Sequence, residues 1–177
     1  WMDVRATTEA KRIESTCHPA LSICPDGVSP EWGPAKVAWV SQHEPEVFSK
    51  THVICEGGDW LIHQLTGEWS ANIPAAATAW FYDAANAKWP EVLYAESGLT
   101  ELIAKCPTRV LAAGEVAGRL LPEIAAQLGL DPGIPVVEGG IDSISAMLAM
   151  GVTGDGPAAL ITGSSNVILA QSSTSVR

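Results

Sequence analysis

The stretch Val136-Val137-Glu138-Gly139-Gly140-Ile141-Asp142-Ser143-Ile144-Ser145-Ala146-Met147 constrains this chain more than any other. A short apolar run, 134–138, reads as a buried strand. It meets a glycine pair, a single acid, and then helix formers over 142–150 that Gly151 ends. Two more strand-like runs follow, 158–162 and 167–170, joined by Gly163-Ser164-Ser165-Asn166. With mostly helical segments upstream, this order defines an α/β fold.

Asp142 has two readings. It is a helix cap, worth about 1 kcal/mol, or a carboxylate doing chemistry where ligands of α/β proteins gather, outside strand ends and beside helix N-termini. Gly139 and Gly140 admit a ligand close to the backbone. An acid so placed can take the proton of a hydroxyl while a phosphoryl group moves onto the oxygen. Gly163, Ser164 and Ser165 are either ordinary turn residues or a phosphate cradle of backbone N–H groups and hydroxyls. They follow Asp142 by about twenty residues, one helix plus one strand.

Upstream, 3–14 has helical composition with Ala6, Ala10 and Ile13 on one face, and 17–35 reads as a long loop. Short helices are predicted at 36–42, 44–48, 90–96, 99–105 and 122–128. Residues 51–55 are β-prone, 71–82 are ambiguous, and 114–118 read as a loop. Asp59 is placed to cap a helix through Leu65, with Trp60 in the core and Gly67 as the stop. Trp1, Asp3 and Arg5 offer an aromatic face, a carboxylate and a guanidinium within five residues. That set suits a polyol or sugar and equally suits a cap and a surface charge. Lys36, His43, His52 and His63 stand alone, and Cys17, His18 and Cys24 fit no standard metal spacing.

Composition narrows the class. With 177 residues, 47% of them hydrophobic, the chain can form one globular domain or two small lobes. A net charge of −10 with ten scattered Lys and Arg residues argues against nucleic acid, and no apolar run reaches membrane length. Cys17, Cys24, Cys55 and Cys106 form no CxxC pair, which favours reduced thiols and a cytoplasmic setting. Beginning at Trp1 inside a patterned segment, the sequence reads as a piece of a longer protein. No dinucleotide loop, Walker lysine or nucleophile elbow is present.

In order along the chain, WMDVRATTEAKRI, SPEWGPAKVAWVSQHEPEVF, EGGDWLIHQLTGEW, WPEVL, GEVAG, LPEIAAQLGL, PVVEGGIDSISAMLAMG and ALITGSSNVIL resemble the FGGY carbohydrate kinase family, nearest to its ribulokinase-like branch. The resemblance covers the chain apart from the loop near 17–28. It implies an actin/hexokinase-type (ribonuclease-H-like) α/β fold in part. Residues 1–133 would belong to the N-terminal, sugar-binding lobe, and 134–177 to its end and the start of the C-terminal, ATP-binding lobe.

It also implies transfer of the ATP γ-phosphoryl group, with Mg²⁺, to a hydroxyl of a ketopentose such as ribulose. Xylulose, glycerol or another polyol is the alternative acceptor, and a sugar-binding relic without catalysis the alternative role. On the family pattern Asp142 is the catalytic base, and Trp1, Asp3, Arg5, Asp59 and Ile141 line the sugar. Gly163, Ser164 and Ser165 hold ATP phosphates. No protein-borne metal ligand falls within 1–177, because the family's phosphate and metal loop lies upstream of Trp1 and its adenosine site beyond Arg177. Residues 1–177 alone are therefore expected not to turn over ATP. Where the ribulokinase-like pattern carries a basic residue, this chain has Ala79. Sugar and ATP are the expected partners, and homo-oligomerisation is left open.

Overall fold

A computed structural model describes residues 2–163 and 166–174. The chain divides into two compact units, residues 1–139 and 140–177. Among the described residues, no helix is long and apolar enough to cross a membrane.

The first unit opens with helix α1 (Thr7–Glu14), a 3₁₀ turn (Pro19–Ile23), α2 (Gly33–His43) and α3 (Pro45–Lys50). The i, i+4, i+7 stripe of Ala6, Ala10 and Ile13 is fully buried against Val28, Ala35, Phe81 and Leu93. Helix α2 serves two clusters at once. Ala35 joins the first, while Val37 and Ala38 pack with Trp80, Tyr94, Leu99, Leu102 and Cys106. Small residues on both helices let α1 and α2 approach closely. Helix α2 starts three residues earlier than predicted, since Pro34 in its first turn needs no N–H partner.

Helix α4 (Gly57–Thr66) is followed by β1 (Ala71–Asn72), α5 (Ile73–Ala79), α6 (Glu91–Glu96), a 3₁₀ turn (Ile103–Lys105) and β2 (Val110–Leu111). Next come β3 (Val116–Arg119), α7 (Pro122–Leu128) and β4 (Pro135–Val137). Strand β1 runs parallel to β2, and β3 antiparallel to β4. Helix α4 packs on the β3–β4 pair so closely that a Cβ on Gly118 would lie 2.7 Å from Thr66 Cβ.

Several predicted elements differ. Residues 51–55 form no strand; Ile54 N–H donates to the Lys105 carbonyl at 2.8 Å, and Lys105 Nζ donates to the Thr51 carbonyl at 2.6 Å. The predicted loop at 114–118 contains the start of β3, whose pairing with β4 no local pattern announces. The predicted helix at 99–105 is a run of tight i→i+3 turns instead, set by burial of Leu99 and Leu102. Trp60 is 53% exposed rather than core, because the buried face of α4 is Asp59, Ile62 and Thr66.

The second unit holds α8 (Asp142–Ala149) and the hairpin of β5 (Ala158–Thr162) with β6 (Asn166–Ala170), paired in register from Ala158–Ala170 to Thr162–Asn166. Helix α8 packs against β6. Burial in α8 is light, Met147 being its one buried residue. In the first unit, Val137 of β4 is 47% exposed where its apolar run suggested a buried strand.

Candidate functional site

In the first unit, Asp3 and Arg5 form a paired unit just before α1. Arg5 Nε donates to Asp3 Oδ1 at 3.0 Å and Nη2 to Oδ2 at 2.7 Å. These bonds hold the Asp3 carboxyl down at about 2. The guanidinium lies 4.1 Å above the Trp39 ring, and Trp39 stacks in turn on His43 at 4.4 Å. Arg5 is thus oriented from two sides, by a carboxylate fork and by an aromatic face.

Asp3, Arg5, Lys36 and Trp39 border one cavity of about 170 Å³. Lys36 therefore does not stand alone as its sequence context suggests; the packing of α1 on α2 brings it beside Asp3. The Trp39–His43 stack was accessible in principle, as an aromatic and an imidazole one helical turn apart. Trp1 lies outside the described residues. Glu9, one turn after Arg5, is buried with its Oε2 unpaired among the described residues.

Asp59 belongs to a different cluster. Helix α4 is capped by Glu56, not by Asp59, and Asp59 occupies the third helical position of a capping box. Its Oδ2 accepts from Glu56 N–H at 3.2 Å, and its Oδ1 from the backbone and side-chain N–H groups of Asn72, each at 3.3 Å. The Glu56 carboxylate accepts from Trp80 Nε1 at 2.6 Å. Buried Glu138 accepts from the Ser70 hydroxyl at 2.5 Å. Burial, with the charge of Glu138 adding to it, raises Asp59 to about 6 against the bonds from Glu56 and Asn72. Asp59 does not line the Asp3–Arg5 cavity. Sequence reasoning missed Ser70, Asn72 and Glu138, since nothing local marks residues far apart in the chain as neighbours; Glu56, three residues before Asp59, was open to the capping-box spacing.

In the second unit, Ile141 is the N-cap of α8 and Asp142 its first residue. The cap role expected of Asp142 falls to Ile141, which has no side-chain donor or acceptor. Asp142 is exposed, and its Oδ1 accepts from Ser143 N–H at 2.6 Å. The carboxylate meets the electropositive end of the helix without being consumed by a full cap. Gly140 lies close to Ser145, where a Cβ would sit 3.2 Å from its Oγ. Gly163 directly follows β5; Ser164 and Ser165 lie outside the described residues. Among the described residues no group of three or more His, Cys, Asp or Glu side chains is placed to hold a metal ion.

Comparison with known proteins defines the class. The crystal structure of xylulose kinase from Rhodospirillum rubrum superposes with a TM-score of 0.82 at 27% identity, over 97% of this chain and 35% of that one. The fold is accordingly a partial actin/hexokinase-type α/β fold. A xylulose kinase of Escherichia coli is 29% identical over 172 residues, 97% of this chain and 35% of the relative. A ribulokinase of Halalkalibacterium halodurans is 33% identical over 141 residues, 78% of this chain and 25% of the relative. The chain thus spans about a third of the length of its relatives or less.

The FGGY family of carbohydrate kinases, N-terminal domain, matches residues 1–149. The chain belongs to the FGGY family of carbohydrate kinases. Xylulose kinases and ribulokinases both stand among its relatives, so the ribulokinase-like branch is not singled out.

Proposed function

We propose that the protein carrying this chain transfers the γ-phosphoryl group of ATP to a hydroxyl of a ketopentose such as ribulose, in the cytoplasm. The family match over residues 1–149 is the observation that carries this reading. Xylulose is the second acceptor, favoured by the xylulose kinase relatives that align with nearly the whole chain. Residues 1–133 serve the sugar-binding lobe, and 134–177 carry its end and the start of the ATP-binding lobe.

Asp142 acts as the base. It takes the proton of the acceptor hydroxyl as that oxygen bonds to the γ-phosphorus, and the bond to ADP breaks. Its exposed place at the start of α8 leaves the carboxylate accessible to a hydroxyl. Arg5, held by Asp3 and Trp39, presents N–H donors to the sugar, and Trp1 and Ile141 supply apolar contact. Asp59 supports the lobe from its buried cluster. Gly163, Ser164 and Ser165 cradle the ATP phosphates. Mg²⁺ accompanies ATP in this chemistry, and the described residues offer no ligand set for it.

The test is Asp142→Asn in the full-length kinase. Turnover should fall by about 10²- to 10⁴-fold, the usual worth of a positioned base, with sugar binding retained. Near-normal turnover overturns the assignment. A panel of ribulose, xylulose, other polyols and glycerol identifies the acceptor.

A further inference from the structure

A cavity of the first unit shares no residue with the one beside Asp3 and Arg5. It has a volume of about 580 Å³, within the range of small-molecule sites. The 3₁₀ turn, the segment leaving α5 and the chain before α6 enclose it. We propose that this cavity is a second ligand site, built for a flat aromatic molecule that carries one anionic group.

The walls are apolar and held in place. Ile23, Phe81, Trp89 and Pro90 line the cavity. Trp89 meets the Tyr82 ring edge-on at 5.0 Å, and its Nε1 donates to the Pro107 carbonyl at 3.1 Å. Phe81 is fixed from behind by Trp32, with ring centroids 5.5 Å apart. Phe81 and Tyr82 are buried beneath the surface, and the half-buried Trp89 offers the open ring. A fixed ring suits a flat ligand, since little side-chain freedom is lost on binding.

The polar groups select the charge. Lys88 lines the cavity, and among the described residues its ammonium makes no ion pair. The Asp83 carboxylate, also on the lining, keeps its charge and feels that of Lys88, but its oxygens are turned to its own loop. Oδ2 accepts from Asn86 Nδ2 at 2.7 Å, and Oδ1 from the N–H groups of Ala85 and Asn86 at 3.1 Å. His18 accepts from Ala20 N–H through Nδ1 at 3.1 Å, so the neutral ring carries its proton on Nε2. Lys88 and His18 also border an adjoining hollow of about 510 Å³. The donors therefore stand where the anionic end of a ligand would leave the apolar chamber.

Backbone strain marks the same place. Among the described residues, the non-glycine positions with positive φ are Cys17 (51°), Phe81 (60°) and Ala87 (51°). Phe81 lines the cavity, and the other two immediately precede His18 and Lys88, which do as well. Such conformations are strained, and this kind of strain concentrates at ligand clamps.

The experiment is a titration of the full-length protein with 8-anilinonaphthalene-1-sulfonate, an aromatic anion, and with uncharged N-phenyl-1-naphthylamine, followed by tryptophan quenching. One saturable site for the sulfonate is expected, with binding weakened about tenfold by Lys88→Met and for the uncharged probe alike, the scale of one charge-assisted contact. Ala84→Trp, which fills the cavity from its rim, should abolish binding. Saturating ribulose or xylulose should leave it unchanged. Unsaturable binding, or equal affinity in wild type, Lys88→Met and Ala84→Trp proteins of unchanged thermal midpoint, overturns the proposal. So does displacement of the probe by the sugar.

Discussion

Ser70, just before β1, donates its hydroxyl to Glu138, just after β4, at 2.5 Å, although 68 residues separate them in sequence. Ser70 is 0% exposed and Glu138 2%. The backbone of Glu138 is pinned as well, its N–H donating to the Glu115 carbonyl at 2.8 Å and its carbonyl accepting from Gly114 N–H at 2.9 Å. This bond ties the strand preceding the Gly139-Gly140 pair to the helical body of the first unit. Ser70→Ala should destabilise that unit by about 1–3 kcal/mol, because it leaves a buried carboxylate oxygen unpaired. Combining it with Glu138→Met should cost less than the two changes summed. Urea unfolding measures both, and additive losses would show that the pair is not coupled.

Asp59 gives a pH dependence of definite sign. Its carboxyl titrates near 3.8 when unfolded and at about 6 in the folded chain. Between those values the native state binds more protons than the unfolded state. The contribution of Asp59 to stability is therefore greatest below 3.8 and is lost as pH rises through about 6, by roughly 3 kcal/mol in all. Asp59→Asn should flatten that slope in denaturant midpoints measured from pH 4 to 7. An unchanged slope would place the protons elsewhere.

Gly33 and Trp80 interlock. A Cβ on Gly33 would lie 2.2 Å from the indole ring, and the ring is held through its bond to Glu56. Gly33→Ala should cost about 1–3 kcal/mol, as overpacking does. Adding Trp80→Leu should give a smaller loss than the sum of the two. Thermal or urea unfolding of the cycle decides, and a neutral Gly33→Ala would mean that α2 shifts freely.

The Arg5 arrangement bears on the sugar. In the full-length kinase, Arg5→Met should raise the sugar KM by about tenfold with a smaller change in kcat, as expected when a contact common to ground and transition states is lost. Without its partner Asp3 returns from about 2 toward 3.8. Its charge is then lost as pH falls through that higher value, and the acid limb of kcat/KM should move upward. A fall in kcat alone would assign Arg5 to the chemical step instead.

Part of this fold is encoded in local pattern. The stripe of Ala6, Ala10 and Ile13 specified α1, the run from Pro122 to Leu128 specified α7, and two apolar runs joined by Gly-Ser-Ser-Asn specified the β5–β6 hairpin. The ordered motifs were enough to indicate the family. Which side chains meet was settled by packing. It set Lys36 and Trp39 beside the Asp3–Arg5 pair and turned Trp60 outward. It also buried Ser70 against Glu138 and paired β3 with β4. The reason is physical. Helical periodicity and turn chemistry act over a few residues, whereas a hydrogen bond between distant residues forms only after burial has brought the segments together and removed the water that would otherwise satisfy them.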